Sequence, residues 1–172
     1  MKRLEQGQAP TPKELGALNG LLDRTADEVR HISSELRPGV LDDIGLDGAI
    51  EWQIDELKKR TDLVFIVCPT SEESQLDYAR RTALFRIFQE LLTNVVRHAG
   101  ARSVRIVRGR VGDVYTLTIA DDGSGVDLEK LEDSSSIGII GMRERLRPYG
   151  GELRYDSAPG KGTTARVVMP VE

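Results

Sequence analysis

The chain has one cysteine, two histidines, one tryptophan and 5% aromatic residues. The lone thiol, Cys68, permits no internal disulfide and suits a reducing compartment, so it reads as strand packing. No stretch approaches the ~20 consecutive apolar residues of a membrane-spanning helix. The opening MKRLEQGQAP also lacks the apolar core of a signal peptide, so a soluble chain is expected. An excess of positive charge is missing too. With 24 basic against 28 acidic residues and a net charge of −4, nothing gives the basic footprint of a nucleic-acid binder.

What is present suffices for a core: 172 residues, 39% of them hydrophobic, allow one ordinary domain plus an appendage. Residues 1–12 are polar and aperiodic, with Gly7, Pro10 and Pro12. From Lys13, Leu15, Leu18, Leu22, Thr25, Val29, Ile32 and Leu36 alternate spacings of three and four, a coiled-coil seam needing a partner helix. Pro38 and Gly39 stop it. A second helix is expected from about Leu46 to Lys59, and a buried strand from Leu63 to Cys68, closed by Pro69. A long helix over 76–98 has a broad apolar face suited to lying on a sheet.

After Gly100 come a hairpin of two strands, Ser103 to Arg108 and Val114 to Ala120, and then a polar, acidic segment over 126–137. A short helix from about Ile139 to Arg147 and a second hairpin, Gly151 to Ser157 and Thr163 to Met169, complete the chain. Helices segregated from hairpin-linked strands argue an α+β two-layer sandwich with helices on one face of a mixed sheet.

The chemistry concentrates at the turns and on the long helix. Glu90 and Asn94, four apart, project from one helix face with Arg97 and His98 beyond them. Asp121, Gly123 and Gly125 form DDGSG at a strand end, Gly138 and Gly141 open the next helix, and Gly160, Gly162 and Thr163 lie between the last strands. Glycine turns admit a ligand close to backbone, helix-start amides suit phosphate oxygens, and an amide oxygen can join phosphates around Mg²⁺. An aspartate can accept from an exocyclic amine. Together they suit a nucleoside triphosphate with magnesium, whereas each motif singly is a common turn.

In this order, QELLTNVVRHA, DDGSG, SIGIIGMRERL and APGKGTT resemble the histidine protein kinases, whose Bergerat ATP-binding fold is shared with gyrase, heat-shock protein 90 and MutL. The resemblance runs over about residues 13–170. GMRER with SSELRPGVLDDIGL resembles the sub-family paired with response regulators that carry helix-turn-helix (NarL-type) output domains. It implies a tail, a second dimerisation helix and a connecting helix over 1–60, and an ATP-binding catalytic domain over 61–172. It also implies Glu90 as general base or polarising group and Asn94 as Mg²⁺ ligand, with Arg97 and His98 near the phosphates. Asp121 would accept the adenine amino group between Gly123 and Gly125, Gly138 and Gly141 would flank the triphosphate, Thr163 would close the adenine side, and residues 126–137 would be the ATP lid.

The family places its phospho-accepting histidine on the first of two dimerisation helices, directly before an acidic residue. His31, in RHISSELRP, precedes Ile32 and resembles the second helix, and His98 belongs to the nucleotide box. The acceptor helix is therefore expected to lie outside this chain, which reads as a truncated or naturally shortened kinase. Ser136 stands where the second glycine box usually begins with glycine. Implied partners are ATP, the parent's acceptor helix, a response regulator and, in the parent, a second copy. The implied location is cytoplasmic, with no direct membrane contact here. A nucleotide-gated interaction module without catalysis and a phosphate-to-water ATPase are the alternatives.

Overall fold

A computed structural model describes residues 39–68, 76–127 and 137–172. The coiled-coil seam, His31, Ser136 and most of the expected lid lie outside the described residues.

Five strands form one sheet in the order β1-β2-β3-β5-β4, comprising β1 (Val64–Val67), β2 (Ser103–Val111), β3 (Val114–Asp121), β4 (Glu152–Ser157) and β5 (Thr163–Pro170). β1 pairs in parallel with β2; every other neighbour is antiparallel, so the sheet is mixed as expected. The two hairpins meet through β3 and β5, whose register sets Asp121 opposite Thr163. That pairing juxtaposes two motifs that lie 42 residues apart in the chain (163 − 121).

Three helices supply the other layer: α1 (Gly39–Lys58), α2 (Tyr78–Asn94) and α3 (Ile137–Leu146). α2 starts at Asp77, whose carboxylate accepts from the Arg80 N–H at 2.7 Å. Its apolar stripe, Leu84, Ile87, Phe88, Leu91 and Leu92, is buried with Ile106, Leu117 and Val167 of the sheet in one core. Strict alternation along β2 and β3 puts Val104, Ile106, Tyr115, Leu117 and Ile119 inward, as the period of two requires. The stripe continues past Asn94 as a π-turn, Val95–Ala99, which ends at left-handed Gly100 (φ 59°).

Two details differ from the sequence reading. The helix expected from about Leu46 is present, ending at Lys58, but a further helical turn from Gly39 precedes it across a kink at Gly45 (φ 70°); Leu41, ahead of the kink, is 1% exposed, so core packing recruits the earlier turn. β1 is an edge strand open on one face rather than buried, with Val64 58% exposed.

The alternation also carries Arg108 inward, where its guanidinium donates to Asp47 Oδ1 at 2.6 Å and Glu51 Oε1 at 2.9 Å on α1. Burial pulls the Arg108 pKa down, but the Asp47 and then the Glu51 contacts raise it on balance, so the cation is held. At the opposite end of β2, Asp122 accepts from the backbone N–H of Ser103 and Arg102, both at 2.8 Å, and from the Ser103 hydroxyl at 2.9 Å. The Ser103 bonds, aided by Arg102, hold the Asp122 carboxyl below its usual pKa.

Two predictions follow for stability in urea. Asp47→Ala leaves a buried guanidinium short of its nearer partner and should cost about 3 kcal/mol, whereas Glu51→Ala, at the more exposed carboxylate, should cost about 1 kcal/mol or less; equal losses would contradict the asymmetry. The lowered Asp122 pKa stabilises the fold above the unfolded carboxyl pKa of about 4, and that stabilisation is lost as pH falls through the folded value. Asp122→Asn should therefore lower stability at pH 7 and flatten its decline below about pH 4.

Candidate functional site

α2, α3 and the β3-β5-β4 side of the sheet enclose a cavity of about 240 Å³. Its lining includes Asn94 and His98 from α2 and its π-turn, Asp121, Ser124 and Gly125 from the turn after β3, and Thr163 from β5. Apolar Leu91, Ile119, Ile139 and Ala165 make up much of the rest. Five of the residues singled out from the sequence, Asn94, His98, Asp121, Gly125 and Thr163, thus border one space.

The turns hold that space open by backbone contact. A Cβ at Gly125 (φ 66°) would collide with the Ala158 carbonyl, and one at Gly162 (φ 74°) with the Asp121 carbonyl. DDGSG and APGKG therefore pack against each other as bare main chain. Gly160 N–H donates to Ser124 O at 2.6 Å, and Ser124 N–H donates to Ala99 O at 2.8 Å, which ties both turns to the end of α2. Ser157 joins them again, because its Oγ accepts from Val126 N–H at 2.8 Å, donates to Gly162 O at 2.9 Å and stands 3.0 Å from Thr163 Oγ1.

The paired aspartates divide their work. Asp122 fastens the turn to β2, while Asp121 Oδ1 accepts from Gly123 N–H at 2.9 Å. Asp121 Oδ2 takes no hydrogen bond among the described residues, so a carboxylate oxygen beside an apolar slot is available to a donor. That arrangement suits a flat heterocycle bearing an N–H.

The remaining expected residues, Glu90, Arg97, Gly123, Gly138 and Gly141, are not among those that line this space. Glu90 is half-buried one turn before Asn94, with its Oε1 against Gly138 at the start of α3, where a Cβ would collide with it. Arg97 is exposed on the π-turn, Gly123 lies under the turn against Ala99 O, and Gly141 faces the Arg145 guanidinium. Among the described residues no three His, Cys, Asp or Glu gather as a metal site.

Sequence reasoning passed over Ser157, Tyr155 and Ser124. Alternation along β4 could have found the first two, since Leu153, Tyr155 and Ser157 share the inward face.

A family model described as histidine kinase-, DNA gyrase B- and HSP90-like ATPase matches residues 79–172. The chain is 34% identical over 98% of its length to an uncharacterized sensor-like histidine kinase of Chloroflexus aurantiacus, spanning 30% of that protein. It is 32% identical over 90% of its length to the sensor histidine kinase ComP of Bacillus subtilis, spanning 20% of it. It therefore covers a third or less of these relatives. In structure it is similar to the histidine kinase AdeS of Acinetobacter baumannii, with a TM-score of 0.64 and 12% identity over 98% of this chain and 89% of that one. A blue-light activated histidine kinase of Erythrobacter litoralis shares the fold at TM-score 0.62 and 20% identity, over 72% of this chain and 40% of that one. Sequence and fold agree that the chain belongs to the family of histidine kinase-, DNA gyrase B- and HSP90-like ATPases and carries the ATP-binding catalytic domain of a sensor histidine kinase.

Proposed function

We propose that the cavity binds Mg-ATP and that the chain transfers its γ-phosphoryl group to a histidine other than His31 or His98. The observation that carries this reading is Asp121, with one oxygen spent on Gly123 N–H and the other without a hydrogen bond among the described residues, beside an apolar slot. Adenine supplies the matching amine. Thr163, opposite Asp121 in the β3-β5 ladder, closes that side, and Gly123 and Gly125 shape it. His98 and Arg97 on the π-turn and Gly138 and Gly141 on α3 flank the phosphates. Asn94 would hold Mg²⁺ jointly with phosphate oxygens of the nucleotide, which supply anionic ligands. The bound ion would neutralise phosphate charge.

In the transfer an imidazole nitrogen bonds to the γ-phosphorus, the bond from that phosphorus to the β–γ bridging oxygen breaks, and ADP leaves with the electron pair. Glu90 takes or polarises the imidazole N–H, so the nitrogen lone pair is available as the bond forms. Residues 61–172 would form the catalytic domain and the segment before it a dimerisation helix with its connection, α1. GMRER and SSELRPGVLDDIGL support a response regulator with a helix-turn-helix output domain as the downstream partner, and a second copy in the parent. A cytoplasmic site of action agrees with the need for ATP, and no helix among the described residues is long and apolar enough to cross a membrane.

Asp121→Asn should weaken Mg-ATP binding by about tenfold or more in calorimetry, while its urea midpoint stays within the range of a surface change. Unchanged affinity would contradict the adenine assignment. Incubated alone with labelled ATP, the chain should not label itself, yet it should label a supplied dimerisation-helix fragment bearing the acceptor histidine. Glu90→Ala should keep nucleotide affinity and cut that transfer by about 100-fold or more. Stable label on His31, or transfer that survives Glu90→Ala, would overturn the assignment of acceptor or base respectively.

A further inference from the structure

Ser157, Thr163 and Asp121 form one row across three strands. Ser157 on β4 is the register partner of Thr163 on β5, and Thr163 is that of Asp121 on β3. Alternation turns all three to the inward face, the one that carries the core residues Leu153, Ala165 and Ile119 on the same strands. Asp121 and Thr163 line the cavity, whereas Ser157 stands behind Thr163 and is not among the lining residues.

The protons available in this row fix which way the Thr163 hydroxyl points. Ser157 Oγ has one proton and two lone pairs. Gly162 O, 2.9 Å away, can only accept, so it takes that proton. Val126 N–H, at 2.8 Å, can only donate, so it fills one lone pair. The 3.0 Å contact between Ser157 Oγ and Thr163 Oγ1 is then a hydrogen bond only if Thr163 donates into the second lone pair. With its one proton spent on Ser157, Thr163 offers the cavity lone pairs and no donor. Its register partner Asp121 offers an acceptor as well, since Oδ2 has no hydrogen bond among the described residues.

We infer that Ser157 is a positioning residue for base selectivity: by taking the Thr163 proton it makes Thr163 an acceptor, so that Asp121 Oδ2 and Thr163 Oγ1 together receive the two hydrogens of one primary amine. The inference rests on the proposed reading of the cavity as an adenine site. The adenine amine carries two hydrogens that diverge in the ring plane, one for each acceptor. A ring carbonyl at that position meets lone pairs on both sides instead. Without Ser157, the Thr163 hydroxyl is free to rotate and donate to that carbonyl. Ser157 touches no part of the nucleotide and acts only through Thr163. A latch between the turns needs only the Val126 and Gly162 bonds, which leave Thr163 out.

The test is calorimetry of Mg-ATP and Mg-inosine triphosphate with the wild-type chain, Ser157→Ala, Thr163→Val and the double variant. The wild-type chain should prefer ATP about tenfold or more. Ser157→Ala releases the Thr163 proton, so the preference should fall to about threefold or less, even where loss of the latch weakens both nucleotides. Thr163→Val removes the acceptor and its repulsion together and should narrow the preference likewise. Adding Ser157→Ala to Thr163→Val should then change the ratio by less than about twofold. If Ser157→Ala weakens both nucleotides equally and keeps the ratio, Ser157 is a latch only and the inference is overturned. A further narrowing of the same size in the Thr163→Val background overturns it too, because the effect then does not pass through Thr163. Should Ser157→Ala show no urea transition, Thr163→Val decides: a narrowed ratio supports the inference and a wild-type ratio overturns it. The two levels fail separately. No preference in the wild-type chain contradicts the adenine reading and takes this inference with it, whereas a wild-type preference that Ser157→Ala leaves unchanged sinks the inference alone.

Discussion

The cavity depends on two glycine turns running in backbone contact. Asp121 and Thr163 are register partners at the ends of β3 and β5, and beyond them the chain leaves the sheet as DDGSG on one side and enters it from APGKG on the other. Carbonyl oxygens occupy the space where side chains at Gly125 and Gly162 would stand, so any Cβ there would force the turns apart. Ser157 and the Gly160 and Ser124 amides then lock the pair to α2.

That constraint separates residues that look alike in sequence. Asp121 and Asp122 are adjacent acids in one motif, but the strand direction sends Asp122 to the start of β2 and Asp121 to the cavity. Glycines also differ in purpose. Gly125 and Gly162 permit main-chain contact between turns, whereas Gly138 leaves room for the Glu90 carboxylate beneath α3. The π-turn after Asn94 presents Arg97 and His98 beyond the end of the regular helix, where an extra residue per turn changes the direction in which side chains project.

Much of this architecture is legible in the amino-acid order. Period-two runs separated by turn residues gave both hairpins, and the apolar stripe of α2 gave a helix on a sheet with Glu90 and Asn94 on its edge. What local pattern cannot carry is the pairing of β3 with β5, which brings distant glycine motifs together through long-range contacts alone. The early start of α1 is of the same kind, because Leu41 is recruited by a core that the segment 39–45 does not itself contain. Arg108 and Tyr155 were within reach. Both obey strand alternation, but a charged residue and a tyrosine on an inward face are read as polar surface unless their register is followed. β1 misleads for the opposite reason, since its apolar composition hides the fact that an edge strand here leaves one face open.

The central claim is that Asp121 Oδ2, which has no hydrogen bond among the described residues, recognises the exocyclic amine of adenine. Calorimetry of the wild-type chain with Mg-ATP and with Mg-inosine triphosphate, which carries a carbonyl where adenosine has its amine, tests this most directly. The account requires ATP to bind about tenfold or more tightly than the inosine nucleotide, because the carbonyl leaves the carboxylate facing an acceptor. Equal affinity for the two would contradict it.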